Sequence, residues 1–459
     1  MRSDNADTIA AISTCLGESG IGIVRISGRD ALSVADKIFR SKDGLKPSGY
    51  KTFTVHYGWI SDEDKVIDEV ILTVMRASRS FTKEDVVEIN CHGGIVPLRA
   101  ILDLVLASGC RLAEPGEFTK RAFLNGRIDL AQAEAVLDII RAKTDAALKL
   151  GTEQLKGGLS RELNKVRNML LDSLTLIEAN IDFPEEGVER SDLTKARVDL
   201  MEIDGELKKI ISGSERGRIY REGVRAVICG KPNVGKSSLL NALLKCERSI
   251  VTPVAGTTRD TIEEIIDIRG IPVRIADTAG ILKPRDLVEK KAVARSRKHI
   301  DSANLIIAIF DGSRKLDRED RELIRRLPRK PTIAVINKID LRRKIDKPGL
   351  FKEFSCVIEV SAKKIRHIDI LEQAIADQVY KGRVISEEPA LVSNLRHIHS
   401  IRRAQILIAE ALNSLDNKTS LEFVAQDIKD ALVQIDDILG KSFSEELLNK
   451  IFSKFCIGK

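Results

Sequence analysis

The feature that most constrains this chain is the sequence GKPNVGKS at residues 230–237, which fits the phosphate-binding pattern G-x-x-x-x-G-K-[ST]. A short apolar run precedes it, and leucines at helical spacing follow it. A strand, a glycine-rich loop and a helix in this order place backbone N–H groups around phosphates. Lys236 would put its charge on the β- and γ-phosphates, and the Ser237 hydroxyl would bind Mg²⁺. The pattern therefore predicts a P-loop, the name used below for residues 230–237.

Three further motifs each follow a run of β-forming residues: DTAG at 277–280, NKID at 337–340 and SAK at 361–363. Ligands of parallel α/β sheets bind at the carboxyl ends of the strands, so we expect the motifs to surround one nucleotide. Asp277 is suited to hold Mg²⁺ through water. The Asp340 carboxylate can accept from both N–H donors on the Watson–Crick edge of guanine, a pattern that adenine lacks. Each of these motifs alone is typical of an ordinary turn, but the ordered set predicts a GTPase.

The residues predicted to bind GTP lie in these motifs and in the loop expected to form the first switch. They are Asn233, Val234, Gly235, Lys236, Ser237, Ser238, Thr252, Pro253, Val254, Ala255, Gly256, Thr257, Thr258, Asp277, Thr278, Ala279, Gly280, Asn337, Lys338, Asp340, Ser361, Ala362 and Lys363.

Ile281 follows Gly280, where a Ras-type enzyme carries the glutamine that orients the attacking water. That role must therefore pass to another residue. Asn233 is a neutral oxygen donor beside the phosphates, and with carbonyls of residues 252–257 it could hold a monovalent cation. Such a cation would offset the charge on the transferred phosphoryl group. Alternatively, Asn233 only braces the loop, and the residue type alone leaves both interpretations open.

Length and composition favour a soluble, helix-rich protein of two or three domains, because the 459 residues include 31% charged and only 4% aromatic side chains. The net charge of +7 is compatible with RNA contact without proving it. Seven cysteines without metal-type spacing indicate reduced thiols in the cytoplasm. We see no secretory signal or transit peptide, and no apolar window reaches the ~18 residues of a membrane span.

The pattern along the chain predicts a multidomain protein with α/β and all-α parts. Residues 1–125 read as short strands and turns with an apolar helix at 95–107, and we predict an α+β domain. Residues 126–217 and 381–459 are helical, with a polar linker at 214–218. We therefore predict that a Ras-like GTPase domain, residues 218–380, is inserted into one helical domain.

The chain resembles the tRNA-modification GTPase family MnmE, also called TrmE, over essentially its whole length. The resemblance is carried by residues 113–126, the P-loop, residues 255–260 and the terminal sequence CIGK at 456–459. It implies an N-terminal domain that forms a homodimer and binds a tetrahydrofolate with a one-carbon unit, 5-formyltetrahydrofolate being the bound form. The folate contacts carry over to Arg25, Glu88, Arg127 and Lys459.

Three of these four positions can be interpreted further from the sequence. Arg127 stands where many relatives have lysine, which keeps the charge but changes the hydrogen-bond geometry. Arg25 and Glu88 are charges within apolar strands, a pattern that residue type alone attributes more readily to a buried ion pair than to a site.

The resemblance also implies the groups that carry the chemistry. GTPase domains meet face to face on nucleotide binding, and potassium replaces an arginine finger. The implied K⁺ ligands are Asn233, Thr252, Val254 and Thr257, and the implied Mg²⁺ ligands are Ser237 and Thr258. Glu289 would orient the attacking water, and Cys456 would act in the modification reaction.

The family works with the flavoprotein MnmG, which holds FAD and NADH, to build an aminomethyl or carboxymethylaminomethyl group at C5 of the wobble uridine of certain tRNAs. The alternative from the residues is a GTPase that acts in ribosome assembly. Such proteins carry RNA-binding appendages such as KH modules, and no Gly-x-x-Gly in a KH-like context occurs outside the nucleotide loop. This absence favours the tRNA-modifying GTPase.

Overall fold

The computed structural model describes residues 7–182, 190–246, 264–277, 300–380, 391–417 and 419–459. These residues form two compact units, and both are assembled from separate parts of the chain. The first unit comprises Met1–Leu137, Leu155–Leu163 and Ile435–Lys459, and the second comprises Asp138–Gln154 and Asn164–Gln434. Neither unit is therefore one continuous segment of the sequence.

The first unit is built on a seven-stranded sheet in the order β3-β4-β5-β6-β2-β1-β7. Neighbouring strands are antiparallel except for the pair β1 and β7. The strands are β1 (Ile9–Ile12), β2 (Ser19–Ser27), β3 (Phe39–Ser41), β4 (Thr54–Asp62), β5 (Lys65–Met75), β6 (Val86–Gly93) and β7 (Arg111–Leu112).

Helices α1 (Ala31–Ile38) and α2 (Ile95–Ala107) contribute buried side chains to the same core as this sheet. A second apolar cluster of the unit is formed by α3 (Glu117–Leu124), the start of α4 (Leu130–Arg141) and the C-terminal helix Glu445–Phe452. The N-terminal and C-terminal segments of the unit therefore share one apolar core.

The second unit contains a six-stranded sheet in the order β13-β12-β11-β8-β10-β9. Its strands are parallel except for the antiparallel pair β9 and β10. This strand order, with one antiparallel pair at the edge of the sheet, is that of a Ras-like P-loop domain, as the motifs predict. The strands are β8 (Val224–Cys229), β9 (Glu264–Ile268), β10 (Ile271–Asp277), β11 (Leu305–Asp311), β12 (Thr332–Asn337) and β13 (Cys356–Glu359).

The central strands of this sheet are almost wholly apolar and buried, because helices of the same unit pack against the sheet. The helices of this part are α9 (Lys236–Cys246), α10 (Arg318–Arg326), α11 (Lys347–Glu353) and α12 (Ile368–Tyr380). The remaining helices are α5 (Asp145–Leu155), α6 (Gly158–Asp182), α7 (Arg190–Ser212), α8 (Ser214–Glu222), α13 (Leu395–Asp416), α14 (Leu421–Leu439) and α15 (Glu445–Phe452).

Two details of the sequence-based prediction are corrected by the structure. Residues 214–218, interpreted as a polar linker, begin α8, whose Ser214, Gly217 and Ile219 are buried. The helical pattern after Leu130 is not continuous: it is interrupted between α4 and α5 and again at Gly157, whose φ of +80° favours glycine. Within the described residues, no helix is both long enough and apolar enough to cross a membrane.

Candidate functional site

The P-loop lies between the end of β8 and the start of α9, so it sits at the carboxyl edge of the second sheet. Gly235 has a φ of +103°, and a Cβ atom there would approach Nδ2 of Asn337 to 2.2 Å. A side chain at Gly230 would lie 2.6 Å from the carbonyl oxygen of Ile309. Both glycines are therefore required where the loop passes close to neighbouring strands.

Lys236 and the two serines after it form the phosphate-binding end of the loop. The Lys236 ammonium donates to the carbonyl oxygens of Gly230 and Lys231, at 3.0 and 2.9 Å. The charge is therefore held over the loop at the amino end of α9, where helix N–H groups also favour an anion. Ser237 and Ser238 are exposed on the first turn, where the Ser237 hydroxyl can serve as a ligand to Mg²⁺.

Asn337 joins the P-loop to the guanine side of the site. It is buried at the end of β12, and its amide Nδ2 donates to the carbonyl oxygen of Val234 at 2.9 Å. Its Oδ1 accepts from the N–H of Ala362 at 3.0 Å. One side chain therefore fixes three of the predicted segments, those at 230–237, 337–340 and 361–363, relative to one another.

Lys338 makes a second link, across 105 residues of sequence. Its ammonium donates to the carbonyl oxygen of Asn233 at 2.8 Å and to Oδ2 of Asp311 at 2.7 Å. Burial alone would raise the pKa of Asp311, but hydrogen bonds from Lys338 and Ser313 outweigh it and hold that pKa below its usual value. Asp311 belongs to none of the predicted motifs, although an aspartate that ends a buried strand was a signal available in the sequence.

Asp340 stands where the base would be recognised. Ser361 Oγ donates to Oδ1 of Asp340 at 2.6 Å, and this bond lowers the pKa of the Asp340 carboxyl. Ser361 is fully buried, and its oxygen in turn accepts from the N–H of Lys364 at 3.2 Å. The carboxylate is therefore ionised, oriented and still exposed, as an acceptor for two N–H groups of guanine must be.

Lys231 is a site residue that the sequence patterns did not indicate. It lies in the P-loop, is 5% exposed, and forms an ion pair with Asp317, the N-cap of α10. Its ammonium also lies 3.6 Å from carboxylate oxygens of Glu319 and Asp320. The loop is therefore attached to α10 by a nearly buried charge.

Several predicted site residues fall outside the described residues. They are Thr252, Pro253, Val254, Ala255, Gly256, Thr257, Thr258, Thr278, Ala279, Gly280 and Glu289. Asp277 closes β10 and pairs in register with Ile228 of β8, one strand from the P-loop. Its backbone is therefore placed where the motif predicts.

The first unit brings together the residues assigned to folate and the C-terminal tail. Arg25 of β2 forms an ion pair with Glu88 of β6, at 2.7 Å between Nε and Oε1. The same guanidinium donates through Nη1 to the carbonyl oxygen of Gly458 at 3.1 Å and lies 5.6 Å from the ring centroid of Phe118. Arg25 therefore forms the ion pair predicted from its residue type and also contacts the C-terminal tail.

The tail is held by further backbone contacts. The N–H of Gly116 donates to the carbonyl oxygen of Cys456 at 3.3 Å, and that of Phe118 donates to the carbonyl oxygen of Lys459 at 3.2 Å. Both donors belong to the segment 113–126 that carries the resemblance. The Cys456 residue itself remains exposed, so its thiol is available for chemistry.

Arg127 lies close to the same region, with its guanidinium 4.7 Å from the ring centroid of Phe81. Phe81 and Phe118, the aromatic partner of Arg25, pack in one small apolar cluster. Arg25 therefore contacts both Glu88 and the tail, and Arg127 lies on Phe81, which packs against the cluster that contains the aromatic partner of Arg25. The guanidinium groups of Arg25 and Arg127 are therefore the cationic groups of this region that could bind an anion.

The assembled loops, the Ras-like strand order and the ionised Asp340 define a P-loop GTPase. A family model described as "MnmE helical domain" matches residues 130–456, and one described as "GTP-binding protein TrmE N-terminus" matches residues 8–127. The chain belongs to the MnmE family, as the sequence motifs predicted.

Curated relatives support the assignment over the full length of the chain. A protein of Alkaliphilus oremlandii named "tRNA modification GTPase MnmE" is 46% identical over 457 residues, which cover 99% of both chains. A protein of the same name from Clostridioides difficile is 46% identical over 455 residues, again with 99% of each chain covered. One from Desulforamulus reducens is 44% identical over 458 residues, with the same coverage.

Proposed function

We propose that this protein is a potassium-activated GTPase that modifies tRNA together with the flavoprotein MnmG. The product is the aminomethyl or carboxymethylaminomethyl group at C5 of the wobble uridine of certain tRNAs. The single observation that carries the proposal is an assembled guanine site in a chain that matches curated relatives of this function over 99% of its length. We further propose that the protein is a cytoplasmic homodimer.

We propose three domains: a folate-binding and dimerisation domain at 1–125, a helical domain at 126–217 and 381–459, and a GTPase domain at 218–380. The apolar cluster shared by α3, α4 and α15 supports a working form in which the C-terminal helix stays packed with the N-terminal part.

In the GTPase part, the chain's own residues bind and orient the nucleotide. Asp340 accepts from the base, Asn337 holds the base-binding loops to the P-loop, and the Lys236 ammonium neutralises phosphate charge. Ser237 and Thr258 would hold Mg²⁺, and Asn233, Thr252, Val254 and Thr257 would hold K⁺. These ions supply positive charge where negative charge develops on the phosphoryl group. Glu289 would orient the attacking water.

In the first unit, Arg25, Glu88, Arg127 and Lys459 would hold the tetrahydrofolate, which supplies the one-carbon unit when bound. Glu88 orients the Arg25 guanidinium, and Arg25 in turn holds the tail through the Gly458 carbonyl. Cys456 is thereby kept next to the folate residues with an exposed thiol. We propose that this thiol takes part in the modification, with FAD and NADH provided by the partner.

The experiment that tests the proposal is mass spectrometry of wobble uridines from a strain that lacks the protein. We expect the C5 substituent to be absent and to return when the gene is restored. Unchanged wobble uridines would contradict the function, whereas loss of a ribosomal subunit with normal wobble uridines would favour the ribosome-assembly alternative.

The role of Cys456 is tested in the same strain by complementation with Cys456→Ser. Cys15→Ser is the matched control, because Cys15 is the other exposed cysteine described in the first unit. We expect Cys456→Ser to hydrolyse GTP normally while the modified uridine disappears, and Cys15→Ser to behave as wild type. Normal modification by Cys456→Ser would remove Cys456 from the proposed site.

A further inference from the structure

The second unit contains a cleft of about 680 Å³ that the nucleotide site does not use. It is lined by residues at the start of β8, by the residues just before β11, by α8 and by the α4–α5 connection. The P-loop follows the end of β8, so the cleft and the nucleotide lie at opposite edges of the same sheet. Five of the lining side chains are cationic and two are acidic.

Two arginines form the floor of the cleft. Arg225 of β8 and Arg274 of β10 pair in register on neighbouring parallel strands, so their side chains project from the same face. Their backbones are about 4.8 Å apart, and like charges at such positions repel one another. Among the residues that the structure describes, neither guanidinium has a hydrogen bond or an ion pair. An anion bound here would relieve this repulsion.

The walls add donors and the Glu222 carboxylate, and the five cationic and two acidic side chains leave the cleft with a net positive charge. Lys143, in the α4–α5 connection, is exposed and has no acidic partner in the described part of the chain. Asp138 is already paired with Arg221 at 2.8 Å, so it does not neutralise the floor. Asn304 accepts from the backbone N–H of Arg225 through Oδ1 at 3.0 Å, which leaves its amide N–H groups as further donors at the same edge.

We propose that this cleft binds backbone phosphates of the tRNA substrate. Guanidinium groups match phosphate oxygens in geometry, and most contacts that position a protein on a nucleic acid are made to phosphate and sugar. Arg225 is exposed, so the cleft is open to a polymer that passes over it. This inference rests on the proposed function, which gives tRNA as the substrate. It adds the surface of the second unit that the tRNA contacts.

The test compares two double variants of the full-length protein by fluorescence anisotropy with a labelled tRNA that carries a wobble uridine. Arg225→Gln with Arg274→Gln removes the floor of the cleft. Arg321→Gln with Arg325→Gln removes two exposed arginines from α10, which do not line the cleft. Both variants lose the same charge from the same unit. GTP hydrolysis, which needs neither pair, reports whether each variant is folded.

We expect the cleft variant to bind tRNA roughly tenfold more weakly than wild type at physiological salt. The slope of log K against log salt should be shallower than that of wild type by about 1.5. The α10 variant should stay within about twofold of wild type. Arg225→Lys with Arg274→Lys should retain much of the affinity, because the charge is kept. Lys143→Gln should give a smaller loss and serves as the test if the double glutamine variant does not fold.

The outcomes separate the inference from the proposed function. If wild type binds no tRNA, with or without GTP, the inference fails, while the wobble uridines of the deletion strain still decide the proposed function. If wild type binds tRNA and the two double variants bind equally well, the cleft is not the contact, while the proposed function stands. If millimolar inorganic phosphate at constant ionic strength binds wild type and not the cleft variant, while the two proteins bind tRNA equally well, the cleft is a site for a small anion and the RNA assignment is overturned.

Discussion

At the scale of single residues, we propose that Asp340 decides which base the site accepts, because its carboxylate is held by Ser361 and left exposed. We expect Asp340→Asn to weaken GTP binding by roughly 30-fold or more, since one charge-assisted hydrogen bond of about 2 kcal/mol is lost. The asparagine amide can instead donate to the C2 carbonyl of xanthine. Titration with labelled GTP and XTP measures both changes.

The control for this substitution is Ser361→Ala, which removes the hydroxyl that orients the carboxylate but keeps the carboxylate itself. It should weaken GTP binding by a smaller factor and should not improve XTP binding. An unchanged ratio of GTP to XTP affinity in Asp340→Asn would mean that the base is recognised by another residue.

The sequence predicted these residues because each belongs to a short motif with fixed chemistry. Lys231 and Asp317 could not be found in this way, since the two are 86 positions apart and neither sits in a pattern that indicates the other. The same holds for Arg25 and Gly458, separated by 433 positions. Contacts of this kind depend on how the chain folds back on itself, which local patterns do not encode.

At the scale of elements, the Lys231–Asp317 ion pair attaches α10 to the P-loop, and this attachment depends on the charge of Asp317. The hydrogen bond from Lys231 lowers the pKa of Asp317 to about 2. A folded pKa below the unfolded value means that the ion pair stabilises the folded state above pH ~4, and that this contribution disappears as the pH falls towards 2. The attachment should therefore be fully present at neutral pH.

Asp317→Asn isolates this charge, because asparagine caps a helix about as well as aspartate. We expect the variant to be less stable than wild type at pH 7, and the difference to narrow as the pH falls below ~4. Urea unfolding of both proteins between pH ~7 and pH ~3 measures the difference. A constant difference over that range would mean that the ion pair does not contribute.

Two glycines should respond in opposite ways to the same substitution. Gly116 caps α3 with a φ of +70°, and a Cβ atom there would lie 2.9 Å from the carbonyl oxygen of Phe452. Gly116→Ala should therefore destabilise the first unit by about 1–3 kcal/mol. Gly205 is exposed within α7, and a Cβ atom added there would have no other atom within 4 Å. Gly205→Ala should therefore stabilise the protein by about 0.5–1 kcal/mol.

Thermal unfolding of the two alanine variants beside wild type checks this pair. Gly49→Ala is a control for the first unit, since a Cβ there also meets nothing within 4 Å. If the Gly116→Ala protein were as stable as the Gly49→Ala protein, the C-terminal residues would have shifted away from the new methyl group with no loss of stability. A Gly205→Ala protein less stable than wild type would contradict the propensity argument.

The elements themselves differ in how well the sequence predicted them. Helix α2 was predicted with its observed limits, residues 95–107, because its apolar run begins after a glycine pair. Helix α8 was missed, because six of its nine residues are charged or tyrosine and only Ser214, Gly217 and Ile219 are buried. A short helix with so little apolar surface has the composition of a linker.

At the scale of the whole molecule, the GTPase part was predictable because its motifs follow one another in a fixed order. The return of the C-terminal residues to the first unit was not visible in any pattern of charge or hydropathy. Only the resemblance indicated that residues 456–459 would lie near Arg25. The structure gives this return a physical basis in the burial of Leu448, Ile451 and Phe452 within the cluster that α3 and α4 share.

Potassium dependence belongs to this scale as well, because the proposed cation acts where two GTPase domains meet. Asn233 is exposed in the P-loop with a φ of 62°, and Ile281 replaces the glutamine of Ras-type enzymes. We expect kcat in potassium to exceed kcat in sodium by about tenfold or more, since a fixed charge at the phosphoryl group acts mainly in the transition state. Rubidium, which is close to potassium in radius, should substitute for it.

Turnover at saturating GTP is measured at constant ionic strength in each salt and at several protein concentrations. Because we propose that two copies meet, we expect turnover per site in potassium to rise with protein concentration and then to level off. Asn233→Ala should remove the advantage of potassium while GTP affinity changes little, since the Lys236 and Asp340 contacts remain. Equal turnover of wild type in sodium and potassium would contradict the proposed cation site, and a potassium effect that survives Asn233→Ala would place the ion on other ligands.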